Sequence, residues 1–510
     1  MSLQPALAQL LRDRRTAIYN ELDGLRLKTH ALDAELERIS GTLNRIVYPV
    51  ASLPADILGE IFACYVNEPA LIGVAGYGSL HTPYHMAGPL VLASVCRVWR
   101  SVALSVPELW ASLRIYTEKN VTSTEKLLKM WLPRAKGVPL NLDIGSPRST
   151  QLEAILPMVI PYSNRWGAFS CAIEPGKSFP GNALRGRLPK LRRLELVYQI
   201  YWGHKPLIPV ADVFAVAPAL REVHLVGFSK ALINVPWRQL NKIQLGHVRV
   251  HDAVEILQST PLVEHLALGF DVDVWAEPQG KLPIQLARLR TLAFEDEPDF
   301  VQYLTLPNLA TLELKKGFEE LEIFAEFVAR SKCTIKSLVL AAPFVAEYVL
   351  DVPRLLPSLV SLRVDGVSWT ARDIAYTFLA LEGFNVTDAA TRATMADAPS
   401  PNPAVCPNLT SLIIRSIHGD VEMPYTLMAD FITRRKVAGQ PLRTLEFFIE
   451  PIDNRMREYV AAIKTSQEEV ASALKVLTRT EGTQVKIRAL HLLSSTTTAE
   501  SAIPPGHASY

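Results

Sequence analysis

The sequence predicts a mixed α/β protein made of a long N-terminal helix, a small all-helical module and an irregular α/β solenoid. Two patterns predict this order. Apolar residues recur in heptads near the start of the chain, and a leucine-rich strand unit recurs over most of the remainder. The chain has 510 residues, of which 49% are hydrophobic and 20% charged. It is therefore long and apolar enough for two or three domains with a large core.

The heptad pattern covers residues 7 to 43. The apolar positions are Leu11, Ile18, Leu22, Leu25, Leu32, Leu36, Ile39 and Leu43. Alternating steps of three and four over about five heptads predict a coiled-coil helix, which Tyr48-Pro49 ends. Arg15 and Thr29 occupy the same series less favourably. The helix either dimerises or folds back on its own chain, and the pattern leaves both interpretations open.

Two amphipathic helices are predicted next. Pro54 suits a first helical turn, and Asp56 and Glu60 place negative charge near the positive end of the helix dipole. Apolar faces then follow at Ile57, Leu58, Ile61 and Phe62 and, further on, at Val91, Leu92, Val95, Val98, Trp99 and Val102. A module of about 60 residues is small for burying so much apolar surface alone. The surplus indicates either a partner protein or the first layer of a larger helical domain.

The order of these residues resembles the F-box. The chain reads LPADILGEIF from Leu53, VCRVWRSVA from Val95 and PELW from Pro107. It is similar to the F-box-like proteins abundant in mushroom-forming fungi. The resemblance implies docking onto the Skp-type adaptor of a cullin–RING ubiquitin ligase. The adaptor-binding residues that it implies are Leu53, Pro54, Ile57, Leu58, Ile61, Phe62, Val95, Cys96, Trp99, Leu109 and Trp110.

One feature departs from the F-box pattern. An insert over residues 64–89 separates the first motif helix from the second. A compact F-box would use a much shorter link, although long loops cost little free energy. Because the insert falls between two motif helices, the sequence leaves open whether it permits adaptor binding.

The strand unit has the form P-x-L-x-x-L-x-L, with its last two leucines pointing inward from a short strand. Its copies span 188–196, 217–225, 237–245, 260–268, 286–294, 306–314, 334–340, 356–364, 406–414, 441–447 and 487–492. Most copies start about 20 to 30 residues apart, which is typical of leucine-rich repeats. Helical segments are predicted at 211–217, 252–259, 320–331 and 428–437. Segments 106–115, 138–144 and 165–173 are interpreted as degenerate first repeats.

The leucines of these copies are interpreted as core, so ligand contacts would come from the intervening strand residues. These are Arg193, Glu195, Glu222, His224, Lys242, Gln244, Glu264, Thr291, Thr311, Glu313, Lys336, Ser361 and Arg363. Their charges alternate in sign, so the pattern identifies no ligand class.

These patterns divide the chain into four parts. The coiled-coil helix takes residues 1–47 and the F-box-like domain takes 48–115. The leucine-rich solenoid takes 116–493, with a flexible loop at 387–405, and a disordered tail takes 494–510.

Composition and motifs argue against several classes of protein. The net charge of +2 gives no reason to expect nucleic acid or an anionic membrane as a partner. Five scattered cysteines, no secretory signal and no long apolar run favour a cytoplasmic or nuclear location. His81 and His85 lack further metal ligands, and the glycines of 73–78 lack the context of a phosphate loop. Cys96 is expected on an apolar helix face as a packing residue. No catalytic, cofactor or metal site is predicted.

The favoured hypothesis is therefore a non-catalytic substrate-recognition subunit of a ubiquitin ligase, whose repeats hold an unidentified protein substrate. The alternative is a repeat protein that acts outside ubiquitin ligation and uses its F-box-like helices as a cap of the solenoid. An enzyme is the least favoured class.

Overall fold

A computed structural model describes most of the chain. The described residues are 4–43, 53–66, 88–115, 121–144, 149–173, 179–198, 208, 210, 212–271, 282–341, 351–365, 377–378, 381, 405–416, 425–449 and 484–489. The chain divides into two compact units. The first comprises Met1–Leu113 with Lys129–Val138, and the second comprises Arg114–Leu128 with Pro139–Tyr510.

The described α-helices begin with a 40-residue helix, in agreement with the heptad prediction. They are α1 (Gln4–Leu43), α2 (Ala55–Val66), α3 (Gly88–Val95), α4 (Arg97–Ser105), α5 (Val121–Trp131), α6 (Ser149–Val159), α7 (Val250–Gln258), α8 (Leu321–Ser331), α9 (Asp351–Arg354) and α10 (Tyr425–Val437). None of these helices combines the length and apolarity needed to cross a membrane.

Strands recur from Ser112 onwards, and most belong to one parallel sheet. The strands are β1 (Ser112–Ile115), β2 (Leu140–Ile144), β3 (Trp166–Ile173), β4 (Arg193–Tyr198), β5 (Glu222–Val226), β6 (Lys242–Val248), β7 (His265–Phe270), β8 (Ile284–Gln285), β9 (Thr291–Phe294), β10 (Leu304–Thr305), β11 (Thr311–Leu314), β12 (Ser337–Ala341), β13 (Ser361–Asp365), β14 (Ser411–Ser416), β15 (Thr444–Ile449) and β16 (Gln484–Ala489). Fourteen of them form an open sheet in chain order, and β8 pairs with β10 separately.

The register of the sheet matches the predicted leucine pattern up to β15. In the last copy the middle position is taken by Val485 rather than Leu490, so the predicted bounds 487–492 of that copy are wrong. The middle leucine of one copy pairs with the middle leucine of the next, as in Leu292, Leu312 and Leu338. These three side chains are buried, as are the turn residues Leu289 and Leu309. The copies therefore share one continuous apolar layer, which no copy could bury alone.

Backbone hydrogen bonds repeat with the same period. The carbonyl oxygen of Arg290 accepts the N–H groups of Ala310 and Thr311, and that of Ala310 accepts those of Lys336 and Ser337. Nine successive carbonyls, from Arg192 to Thr410, each accept two N–H groups in this way. Each copy thus satisfies the polar backbone that its neighbour exposes at the start of a strand.

The polar residue of the P-x-L turn joins neighbouring copies as well. The side-chain N–H of Asn308 donates to the carbonyl of Ala287 at 2.7 Å, and that of Asn408 donates to Pro357 at 3.0 Å. Ser358 donates its hydroxyl to Ile335 at 3.1 Å. These bonds give the variable x position a structural role in some copies.

The predicted connecting segments are mostly helical. The structure has α-helices α7, α8 and α10 where three were predicted, but only a short 3-10 helix, Asp212–Phe214, in the first such segment. Strands β1, β2 and β3 lie in the three segments interpreted as degenerate first repeats. The loop at 387–405 and the tail at 494–510 lie outside the described residues, apart from Val405.

We expect the Leu312→Ala substitution to lower the free energy of unfolding by about 2–5 kcal/mol, because it leaves a cavity between buried neighbours. The adjacent Thr311 is only half-buried on the other face, so Thr311→Ala is expected to cost about 0.5 kcal/mol or less. Urea unfolding of both variants measures the difference. Equal losses would contradict the assignment of the two faces.

Candidate protein-interaction surfaces

The F-box-like module is built from α2, α3, α4 and the 3-10 helix Pro107–Trp110. The three α-helices contact one another, and α2 also contacts the 3-10 helix. Gly59 allows a close approach here, since a Cβ at this position would lie 3.2 Å from the Val106 side chain. The first unit therefore contains a packed helical module at the predicted place.

Helix α2 has one buried and one exposed apolar side. Leu58 and Phe62 have no exposed surface, and the Phe62 ring lies 4.9 Å from the ring of half-buried Trp99. By contrast, Ile57 and Ile61 are each 46% exposed. The broad apolar face seen in the sequence is thus divided by the packing, and half of it remains uncovered in this unit.

The exposed side forms a regular stripe along α2. Ile57, Ile61 and Tyr65 recur at four-residue intervals and are all exposed, so they lie along one side of the helix. Leu53, two residues before the helix begins, is exposed as well. Helices α3 and α4 expose Val91, Val95 and Val98 in addition. We call Leu53, Ile57, Ile61, Tyr65, Val91, Val95 and Val98 the aliphatic surface.

The predicted adaptor-binding residues differ in burial. Leu53, Pro54, Ile57, Ile61, Val95 and Cys96 are exposed, Trp99 is half-buried, and Leu58, Phe62, Leu109 and Trp110 are buried. The buried four have no surface to offer a partner and instead support the module. Tyr65, Val91 and Val98 were missing from the predicted set, although the four-residue spacing in α2 could have identified Tyr65.

Trp110 anchors the module to a later segment of the same unit. Its Nε1–H donates to the Ala103 carbonyl at 2.8 Å, and its own carbonyl accepts the Nε1–H of Trp131 at 2.9 Å. The two indole rings meet edge to face at 4.7 Å, and the Arg134 guanidinium lies over the Trp110 ring. Residues 129–138 therefore belong with this unit, although the sequence division placed them in the repeats.

The prediction that Cys96 lies on an apolar helix face is wrong. Cys96 has extended backbone angles, separates α3 from α4, and accepts the Trp99 N–H on its Sγ at 3.4 Å. The Arg100 side chain crosses the break and donates to the Ala93 carbonyl at 2.7 Å. A thiol that caps a helix satisfies an N–H group that would otherwise lack a partner, which is why the helix restarts here.

The two ends of the insert lie close together. A Cβ on Gly88, the first residue of α3, would lie 3.3 Å from the side chain of Val66, the last residue of α2. The insert thus leaves and re-enters the module at one point. His81, His85 and the glycines of 73–78 lie outside the described residues.

The second unit offers the solvent side of its sheet as another candidate surface. Near one end, Oε2 of Glu222 lies 2.9 Å from Nη2 of Arg193 and 3.9 Å from Nζ of Lys242. On the neighbouring position, Nδ1 of His224 lies 3.3 Å from Oε1 of Glu195. These are the alternating charges seen in the sequence. Exposed pairs of this kind add about 0–1 kcal/mol each, so their role is more to present charge than to stabilise the fold.

Towards the other end, the same register position carries hydroxyl groups on six successive strands. The residues are Thr291, Thr311, Ser337, Ser361, Ser411 and Thr444, which pair strand by strand. All six are half-buried. Neighbouring strands lie about 4.8 Å apart, so the sheet presents a row of donors and acceptors at that interval. Of these six residues, only Thr291, Thr311 and Ser361 were predicted as ligand-contacting positions.

A compact charge cluster borders this hydroxyl row. Arg363 donates to Asp365 through Nε at 2.9 Å, and Arg415 lies 3.6 Å from the same carboxylate. The hydrogen bond to Asp365 raises the pKa of the Arg363 guanidinium above its ordinary value. The sheet thus presents a charged cluster beside a row of neutral hydroxyl groups.

Among the described residues, one group could offer several ligand atoms to a metal. His251, Asp252 and Glu255 on α7 have ligand atoms within 4.8 Å of one another. They are only partly buried, and burial raises the pKa of the Asp252 carboxyl, which weakens it as an anionic ligand. The sequence analysis did not identify this group, and its geometry alone assigns it no role.

Comparison of the whole chain with protein-family models and with curated proteins found no match in either.

We expect alkylation of the native protein near neutral pH to be at least about tenfold faster at Cys64 and Cys96 than at Cys171 and Cys406, because only thiolates react readily. The first two thiols are exposed and the others buried. Burial also raises the pKa of the Cys406 thiol to about 12 and raises that of Cys171. Peptide mass spectrometry measures the four rates. Fast alkylation of Cys406 in folded protein would contradict its placement, and unfolding in urea should remove the difference.

Proposed function

We propose that this protein is a non-catalytic substrate-recognition subunit of a cullin–RING ubiquitin ligase. Its F-box-like module binds a Skp-type adaptor through the aliphatic surface, and its repeat sheet holds a protein substrate. The observation that carries the proposal is the division of α2 into a buried side and an equally apolar exposed side.

The aliphatic surface supports an obligate partner. Seven large side chains, each at least 36% exposed, lie on or just before three short helices that pack on one another. Monomeric soluble proteins rarely expose apolar residues at this density unless another protein covers them. The chemistry of the surface fits an apolar groove or helix on the partner rather than a charged ligand.

The close approach of the two ends of the insert also supports adaptor binding. Because Val66 and Gly88 adjoin, the insert does not separate α2 from α3. The departure from the F-box pattern therefore leaves the three motif helices together.

We further propose that the second unit is a leucine-rich-repeat solenoid. Parallel strands in chain order, paired leucines and shared carbonyl acceptors support this assignment. A solenoid offers a long continuous strand face, on which the hydroxyl row and the charge clusters would contact the substrate.

In this proposal the chain accelerates ubiquitin transfer by proximity. Binding adaptor and substrate at once raises the effective concentration of substrate lysines near the ubiquitin-charged enzyme. No side chain of this chain needs to take part in bond making.

We expect the wild-type chain to co-purify with a fungal Skp-type adaptor and the Ile57→Asp/Ile61→Asp variant to lose at least about tenfold in affinity. Two carboxylates would be desolvated at the interface without partners. Both positions are exposed, so the variant should keep the wild-type melting temperature, unlike one altered at buried Leu58. Co-expression, pull-down and titration measure the effect.

The matched control is Leu10→Asp/Leu27→Asp, which changes two exposed leucines of α1 outside the aliphatic surface. This control should bind the adaptor as the wild type does. Failure of well-folded wild type to bind, or unchanged binding by the Ile57/Ile61 variant, would contradict the proposal. That result would favour a repeat protein that acts outside ubiquitin ligation.

A further inference from the structure

Helix α1 exposes its entire heptad stripe. The stripe, which we call the α1 seam, consists of Leu11, Ile18, Leu22, Leu25, Leu32, Leu36, Ile39 and Leu43. Each of these side chains is at least 42% exposed, and every described residue from 9 to 43 is exposed. No described part of the chain covers the seam.

We propose that α1 joins two copies of this chain into a parallel, in-register coiled-coil dimer. The inference is independent of the proposed ligase function, because it depends only on α1. The seam spans about five heptads, more than the three to four at which a heptad pattern indicates a coiled coil. Its repeated steps of three and four keep the stripe facing a partner helix along its length.

The charges beside the seam select the parallel orientation. With Leu11 and its series at the d positions, Glu21 and Lys28 occupy g positions, and Arg26 and Asp33 occupy e positions. In a parallel dimer each g residue faces the e residue five positions later on the other helix. Glu21 then faces the partner subunit's Arg26, and Lys28 faces the partner subunit's Asp33. Two-fold symmetry repeats both attractive pairs.

The antiparallel arrangement that keeps the same apolar layers is disfavoured. It would place Lys28 against the partner subunit's Lys28, and Glu21 against the partner subunit's Glu35. It would also bring the two copies of Arg26 together. Like charges beside an apolar seam oppose association, so the charge pattern discriminates between the two orientations.

The polar seam positions favour two strands over more. Arg15 and Thr29 occupy a positions. In a two-stranded coil a long side chain at a can lay its methylene groups along the seam and keep its guanidinium in water. Three or four strands would enclose these groups more fully, at a larger desolvation cost.

The first test is the mass of the full-length chain in solution by sedimentation velocity. Wild type is expected at twice the 56.5 kDa chain mass at micromolar concentration. Leu25→Glu/Leu32→Glu is expected to be monomeric, because it places four carboxylates in the seam of a dimer. Leu10→Glu/Leu27→Glu, which alters exposed leucines off the seam, should remain dimeric. Circular dichroism checks that all variants stay folded.

The second test addresses orientation through charge. Lys28→Glu alone replaces two attractive contacts with repulsive ones and should weaken the dimer by roughly tenfold. Adding Asp33→Lys to the same chain restores opposite charges in a parallel dimer and should restore the affinity. An antiparallel dimer would not recover in this way.

The third test uses a disulfide across the seam. Leu11→Cys should form an intermolecular disulfide only in the parallel dimer, since a bridge needs Cα atoms about 4.4–6.8 Å apart. Leu27→Cys off the seam and the wild type serve as controls for the native thiols. A monomeric wild type, a larger oligomer, a dimer that survives Leu25→Glu/Leu32→Glu, or a dimer that Leu11→Cys does not crosslink would overturn the proposal.

Discussion

Nine successive steps of the sheet, from β4 to β15, each depend on one carbonyl oxygen that accepts two N–H groups from the next copy. This bond fixes where each strand begins, as with Arg290 and the pair Ala310 and Thr311. Once the start of a strand is fixed, its period of two sends alternate side chains inward. The buried leucines then stack strand over strand, and the remaining positions are left to solvent. The candidate substrate surface is a consequence of that register.

The helical module is subject to a different constraint, which is its small size. Three short helices can cover Leu58, Phe62 and Leu109, with Trp110 bonded to Ala103 and Trp131 as an anchor. They cannot also cover Ile57 and Ile61, because no further layer is present within the described part of this unit. The same apolar helix therefore supplies both the core and an exposed surface, and that surplus leads to the proposal of a partner.

Much of the fold could be predicted from the sequence because the leucine spacing directly reflects the strand period. The heptads predicted α1, and the P-x-L-x-x-L-x-L unit predicted the strands. Burial within α2 could not be predicted, since periodicity gives the width of an apolar face but not which half is covered. The break at Cys96 depends on a thiol cap that no pattern signals. The hydroxyl row emerges only when copies are aligned on their middle leucine.

The most direct test of the central claim is hydrogen–deuterium exchange of the full-length chain with and without the Skp-type adaptor. Our account predicts new protection in α2, α3 and α4, with no change in strands β4 to β15, because the adaptor would contact only the aliphatic surface. Protection confined to the sheet, or no protection at saturating adaptor, would contradict it.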